Sequence, residues 1–245
     1  MPGQKNDRKL RSMSTATKRG THSGTRRGAS LVDRAYQEIK RRILGNFYPP
    51  NLQVLEQDLA QQLGMSRTPV REAMIRLERE GLIEILPRRG MRVVPISPDD
   101  MRDIYEVLTC LEARAAERLA EQKPSKTELA PMIAAHDDME AALAEGDLDS
   151  WAEADERFHR ALLELSGNRR LSTMALTVFD QVHRARMITL RMRPPPHQSN
   201  DDHRALIDAI LAGDSHKAYE VHHQHRTCAM LLLTDILARY NLREL

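Results

Sequence analysis

The strongest constraint on this 245-residue chain is the punctuation of everything after residue 96. Helical apolar spacing runs between stops at Gly146, Gly167, Pro194-Pro195-Pro196 and Gly213. Ser97-Pro98-Asp99 starts a helix that reaches about Glu121. Ser125-Lys126-Thr127-Glu128 is a capping box for the next, which ends near Gly146. Asp149 to Ser166, Asn168 to the triple proline, about Asn200 to Leu211, and Asp214 to about Tyr240 follow. Links this short force neighbouring helices to run antiparallel, so residues 97–245 are expected as an antiparallel bundle of six to seven helices. No internal repeat is present.

Residues 30–96 read differently. A first helix from Leu31 to Leu44 places Leu31, Ala35, Ile39 and Ile43 near one face, and Gly45, Asn46, Pro49 and Pro50 break it. A short second helix, about Leu55 to Leu63, ends at Gly64 and has no polar N-cap. Ser66-Arg67-Thr68-Pro69 opens a third, with Thr68 expected as N-cap and Pro69 at the first helical position. Val70, Met74 and Leu77 then recur at helical spacing up to Gly81. The alternating runs Leu82–Leu86 and Met91–Val94, joined by Pro87-Arg88-Arg89-Gly90, signal a β-hairpin with a basic tip. Short helix, glycine turn, capped helix and hairpin make a winged helix-turn-helix. The fold class is therefore mainly α, an N-terminal winged helix-turn-helix with a small β-hairpin wing ahead of the helical bundle.

Charge separates these parts. Residues 1–29 carry eight Lys/Arg against Asp7 alone and show no apolar periodicity, so a disordered basic arm is expected. Its Arg- and Ser-rich composition also mimics an organellar transit peptide; a solvated tail with weak attraction for DNA is the plainer reading. Residues 30–96 hold eleven basic and eight acidic side chains, and the remainder is net acidic by eight. An acidic segment is a poor partner for polyphosphate, which leaves the N-terminal third as the nucleic-acid end. Two cysteines exclude a disulfide framework and fit a reducing cytoplasm. No apolar run approaches 18 residues, which excludes a helical membrane span, and no apolar stretch of the kind a secretory signal needs follows the N-terminal basic residues.

Arg67 and Arg71 are four apart, hence on one outward face near the start of the third helix. That end enters the major groove, where Arg donates two bonds to guanine O6 and N7. The hydroxyls of Ser66 and Thr68 and the exposed backbone N–H groups can hold phosphates there. Arg88 and Arg89 at the hairpin tip reach the adjacent groove or a phosphate, and Gly90 lets the turn approach closely. Singly, each arginine reads as well as a solvated charge. Their order and context point to double-stranded DNA.

The run Leu59-Ala60 through Gly64, Ser66-Arg67-Thr68-Pro69-Val70-Arg71-Glu72-Ala73, Leu77-Glu78, Glu80-Gly81-Leu82 and Arg89-Gly90 resembles the DNA-binding domain of the GntR family of bacterial transcription regulators. The resemblance implies that Arg67 and Arg71 read bases and that Arg89 and Gly90 meet the minor groove. Two positions depart from the family pattern. Gln57 stands where some members carry an arginine, and Asn51 where a turn glycine is usual.

The sequence has ten histidines. Asp155 and His159 share a helix face, His203 lies on the fifth helix of the bundle, and His222, His223 and His225 lie on the sixth. An Asp with three His suits Zn²⁺ or another borderline divalent ion, but spacing alone leaves hydrogen-bonded or surface histidines as the commoner outcome. The motifs Leu111-Glu112, Asp155-x-x-Phe158-His159-x-Ala161-Leu162, Ser166-Gly167-Asn168 and His203-Arg204-Ala205-x-x-Asp208-Ala209-Ile210 resemble the helical FCD effector domain of the FadR-like branch of that family. The resemblance implies Asp155, His159, His203 and His225 as ligands for Zn²⁺, Ni²⁺ or Mn²⁺, with His222 or His223 as substitutes for His225 if the register differs. It further implies a carboxylate effector held by metal and arginine, a homodimer on a palindromic operator, and repression as the commoner mode. The usual pocket arginine is replaced by Leu108, which points to a less acidic effector, with Arg160, Arg184, Arg186 and Arg191 as candidate cations.

Two other functions fit the same residues. An Asp/His cluster could serve a metal-dependent hydrolase, with Glu156 or Asp202 as base, although such an enzyme has no use for Arg67, Arg71 and the wing. The metal could instead be structural, or be itself the signal. Cys110, Cys228, Met132, Met139, Met174, Met187, Met192 and Met230 are expected in the core, and Trp151 packed on the bundle.

Overall fold

The structure is a computed structural model that describes residues 30–242; the arm expected at 1–29 lies outside the described residues. Helix α1 (Leu31–Leu44) starts at Ser30, whose hydroxyl accepts from the Asp33 N–H, and buries Ala35, Tyr36, Ile39 and Ile43. Leu31, in its first turn, stays exposed. Helix α2 (Glu56–Leu63) has no side-chain cap and ends at Gly64 in the left-handed conformation. Helix α3 (Arg67–Arg79) begins earlier than expected: Ser66 is the N-cap, and Thr68 and Pro69 lie inside the first turn. Pro69 is tolerated there because first-turn N–H groups have no helical acceptor to lose. Val70, Met74 and Leu77 are buried as the spacing predicts.

Strands β2 (Ile83–Leu86) and β3 (Gly90–Val93) form the hairpin, and a two-residue strand β1 (Gln53–Val54) joins the free edge of β3 in an antiparallel sheet of order β1-β3-β2. Strand β1 is too short to carry a period, so only the fold reveals it. Pro87 and Arg88 make the corner, closed by the Arg89 N–H on the Leu86 carbonyl at 3.0 Å, with Arg88 at φ +64°. That is the arrangement of a type II turn, usually given to glycine. Asn51, too, sits at φ +63°, which explains how it replaces a turn glycine.

Helices α4 (Pro98–Glu121), α5 (Ala130–Glu145), α6 (Leu148–Leu165), α7 (Arg169–Thr189), α8 (His197–Ala212) and α9 (Ser215–Arg239) follow, with a 3₁₀ turn Leu190–Met192 before the triple proline. Ser97 and Asp100 form a reciprocal capping box, and Asp147, Asn168 and Asp214 cap α6, α7 and α9. Ser125 and Glu128 do bond as a box, but they close a single turn, and α5 begins only at Ala130. Pro131 is the reason: it lacks the N–H that would carry that turn onward. The two parts keep separate apolar cores, one among α1–α3 and the sheet, one among the six later helices. Trp151 is buried and its Nε1–H donates to Asn200 at 2.8 Å.

Several expected core residues are exposed. Cys110 and Cys228 face solvent, two residues from buried Glu112 and Arg226 and thus nearly opposite them on their helices. Met132 and Met139 are buried, but Met174 and Met192 are not.

Helix α7 joins the two parts. Lys40 of α1 meets Asp180 of α7 at 2.5 Å and Glu80 at 2.8 Å, and Tyr36 donates to Glu80. The Gln181 amide donates to the Glu80 carbonyl at 3.0 Å, and Arg184 donates to the Val94 carbonyl at 2.8 Å.

A Cβ at Gly90 would lie 2.1 Å from the Val54 carbonyl oxygen, at φ +81°. Gly90→Ala is expected to destabilise the chain by ~2 kcal/mol or more. Gly64→Ala, at φ +61° with nothing within 4 Å of the new atom, should cost only about 1 kcal/mol. Denaturant unfolding of the two variants checks the difference, and equal losses would show that the Val54 contact is not what requires Gly90.

Candidate functional site

The start of α2, the outer face of α3 and the wing form one concave surface. Its groove of about 350 Å³ is lined by Gln57, Arg67, Arg71, Pro87, Arg88 and Gly90 among others. Ser66, Arg67, Thr68, Arg71, Arg88 and Arg89 are all exposed. Arg67 is held by Glu56 of α2 at 2.9 Å, whereas Arg71 has no partner among the described residues. Gln57 thus faces the same groove as the arginines, at the position where the resembled pattern has a further arginine. Gly90 is required by contact with Val54, inside the protein, before any contact with a ligand arises.

The second site lies inside the bundle. Helix α6 brings Asp155 and His159 to one face, α8 adds His203, and α9 adds His222 and His225, all buried. Asp155 Oδ1 lies 3.7 Å from His159 Nε2 and 3.9 Å from His203 Nε2. His159, His203 and His225 each offer a ring nitrogen within 4.8 Å of the others. His225 Nδ1 is 3.2 Å from Asp202 Oδ2, which leaves its Nε2 for the cluster. His223 is exposed and stacks on Tyr219, so it cannot replace His225.

Buried polar atoms normally find hydrogen-bond partners. Here Asp155 Oδ1, both His159 nitrogens and both His203 nitrogens have none. One carboxylate and three imidazoles with unused lone pairs, gathered in one place, fit a divalent ion of zinc or nickel type. The Arg186 guanidinium stands 2.6 Å from Asp155 Oδ2. Burial pushes the Asp155 carboxyl up, but Arg186 and the adjacent histidines hold it well below the usual carboxylate range. Burial holds His159 neutral, pushed down to about 3, and lowers His203 strongly as well.

Glu112, fully buried on α4, is the residue that sequence reasoning missed as part of the site. Arg226 of α9 donates to both its oxygens, from Nη2 at 2.8 Å and from Nε, and His222 Nε2 lies 2.9 Å from Oε2. Burial opposes the Glu112 charge, and Arg226 and the histidines outweigh it, so its pKa falls far below normal. Its signal in the sequence was an acid between Leu108 and Ala115 on an apolar face.

Of the residues expected to hold an effector, Arg186 lines the cavity beside the cluster, and Leu108, Arg160 and Arg184 do not. Leu108 is enclosed in the core. Arg160 is engaged by Glu156 and by Asp180 of α7, and Arg184 reaches Val94, because the side of α7 that carries Asp180 and Arg184 faces the winged helix. A cavity of about 280 Å³ opens beside His225, and its cations are Arg186, Arg193 and Arg226. Trp151, Leu190, Leu232 and the three prolines give it an apolar wall. Glu156 is bound to Arg160 and Asp202 to His225, so neither stands ready as a general base.

Residues 31–93 match the family of bacterial regulatory proteins of the gntR type, and residues 103–227 match the FCD domain. An uncharacterised HTH-type transcriptional regulator of the TAR-I ttuE-ttuC' intergenic region of Agrobacterium vitis is 47% identical over 137 residues, covering 55% of this chain and 80% of that one. The HTH-type transcriptional repressor GlaR of Escherichia coli (strain K12) is 26% identical over 210 residues, 83% of this chain and 96% of that one. The solved structure of E. coli McbR/YncC superposes with a TM-score of 0.74 at 20% identity, over 85% of this chain and 99% of that one, which speaks for the fold.

His159, pushed down to about 3, His222, pushed down to about 4, and the lowered Asp155 and Glu112 all bind fewer protons folded than unfolded. Their contribution is complete above the unfolded histidine value of ~6.5 and is lost as pH falls. The chelator-treated chain should therefore melt progressively lower from pH 7 towards pH 4. A flat melting temperature across that window would contradict the buried neutral state.

Proposed function

The chain belongs to the GntR family of bacterial transcription regulators, with an FCD domain behind its winged helix, and on that premise we propose a metal-containing, effector-responsive repressor that binds a palindromic operator as a homodimer. DNA binding and transcription regulation come with the family. The finer parts of the reading rest chiefly on one observation: buried ligand atoms without hydrogen-bond partners, on Asp155 Oδ1, His159 and His203, lie beside a cavity carrying three arginines.

In this reading residues 30–96 are the DNA-binding domain and 97–245 the effector and dimerisation domain. Asp155, His159, His203 and His225 hold Zn²⁺ or a similar divalent ion. When bound, such an ion supplies a Lewis-acid contact for a carboxylate oxygen. Arg186, Arg193 and Arg226 add charge-assisted hydrogen bonds, and the apolar wall takes the body of a small organic acid. An anion that draws Arg186 from Asp155 disturbs α7, which also carries the Asp180, Gln181 and Arg184 contacts to the winged helix. Coupling of this kind is typically ~1–3 kcal/mol, about 5–150-fold in affinity.

Ser66, Arg67, Thr68, Arg71, Arg88 and Arg89 form the DNA face. Arg71→Ala should lower operator affinity by ~1–3 kcal/mol and relax base preference. Fluorescence anisotropy on operator variants measures both, and unchanged affinity would remove Arg71 from the interface.

The effector reading is tested by thermal unfolding of the full chain, first chelated, then with Zn²⁺ restored, then with small carboxylates and sugar acids added. A ligand at ~100 times its Kd stabilises by ~2.7 kcal/mol. Metal-dependent stabilisation by one acid is the expected result. A shift with metal and with no acid would make the metal a structural element or the signal itself, and no shift with metal would refute the metal centre.

A further inference from the structure

We propose that His222 is a fifth protein ligand to the ion held by Asp155, His159, His203 and His225, with Glu112 as the positioning residue behind it. The inference rests on the metal reading above and adds residues that neither the sequence motifs nor the family match assigns to that role.

His222 is buried, and its Nδ1 has no hydrogen-bond partner. Its other nitrogen, Nε2, is 2.9 Å from Glu112 Oε2. A carboxylate accepts, so Nε2 carries the hydrogen, and in the neutral ring the lone pair is on Nδ1. His225 repeats the plan: Asp202 backs its Nδ1 and frees its Nε2. A carboxylate behind an imidazole is the usual means of orienting a metal-bound histidine. Glu112 Oε2 also lies 3.7 Å from His159 Nδ1, beyond hydrogen-bond reach, so the backing carboxylate serves His222 alone.

The ring spacings are those of imidazoles on one ion, although the His222 donor stands outside the 4.8 Å group of His159, His203 and His225 and has to close in by a side-chain rotation when the ion binds. An imidazole bound at ~2.1 Å has its centroid roughly 3.2 Å from the ion, so two rings on one ion stand roughly 4.5–6.5 Å apart. The His222 centroid is 5.4 Å from that of His159 and 5.7 Å from that of His225. The pairs among His159, His203 and His225 span 4.6 to 5.5 Å.

Glu112, His159 and His222 could alternatively hold an ion of their own, since their donor atoms also converge within 4.8 Å. Arg226 opposes that. Its guanidinium donates to both Glu112 oxygens and places a positive charge where a second cation would have to sit. One ion with His222 added leaves the Glu112–Arg226 pair intact.

Co²⁺ binding to the chelator-treated full chain tests the assignment, with affinity read by competition against a coloured chelator and the ligand field by visible absorption. His222→Ala and His222→Gln are compared with His223→Ala, a control on the exposed neighbour. Gln at 222 keeps a donor for Glu112, and circular dichroism of the metal-free variants establishes that they fold. If His222→Ala does not fold, His222→Gln decides. The expected result is one Co²⁺ per chain, affinity about 10–100-fold weaker in the His222 variants with an altered absorption spectrum, and a control like wild type. Unchanged affinity and spectrum in the His222 variants would overturn the inference while leaving the metal centre standing. Two Co²⁺ per chain, with one lost in the His222 variants, would overturn it in favour of a second site. Failure of the wild-type chain to bind Co²⁺ would overturn the metal centre itself, and this inference with it.

Discussion

Arg226 of α9 closes on both oxygens of Glu112 on α4, and every atom of the contact is out of reach of water. A lone carboxylate in that position would be several kcal/mol too costly to keep charged, so the two helices must meet in the register that lets the guanidinium face it. Helices α4 and α9 are accordingly the most extensively packed pair in the bundle. The same logic holds across α6 and α7, where Arg186 keeps Asp155 ionised. Ala113, Ala115, Ala116 and Ala120 make the approach to α4 possible, because small side chains leave room for the long polar groups between helices. The histidines are then gathered around two fixed negative charges and kept neutral by the surrounding apolar core.

Helix α7 gives this interior an outlet. One side of it meets Asp155 through Arg186, and another meets the winged helix through Asp180, Gln181 and Arg184. Lys40 is shared among Asp180, Glu80 and Tyr36, so the ends of α1 and α3 are both fastened to the same turn of α7. A shift or rotation of α7 cannot satisfy one set of partners without loosening the other. That competition would give the proposed effector-driven change in DNA affinity a physical route.

What could be read from the sequence was local. The starts read at Ser97, Asn168 and Asp214 are side-chain caps that act within one turn, and those helices lie within a few residues of expectation. The error at α5 is instructive, since a good capping box at Ser125 was overruled by Pro131 six residues on. The Asp155 and His159 pair followed from helical spacing, and the choice of His225 over its neighbours came from a family resemblance. The Glu112–Arg226 contact joins residues 114 positions apart, and no local pattern encodes such a pairing. Arg160 and Arg184 engage Asp180 and the Val94 carbonyl and do not line the cavity, for a related reason. Periodicity tells which residues share a helix face, and only packing tells which helix, or which other part of the chain, covers that face.

The contact of Gly90 with Val54 reaches beyond stability. Strand β1 leads directly into α2, so the backbone that seats the wing is continuous with the backbone that positions the recognition helix. The wing tip and the reading face of α3 are thereby held at a fixed separation and angle. The more firmly this contact holds the two, the more of the fit falls to DNA, through its groove width and bend. If Arg67 and Arg71 read bases as proposed, base steps they never touch would influence operator choice through the energy needed to deform them.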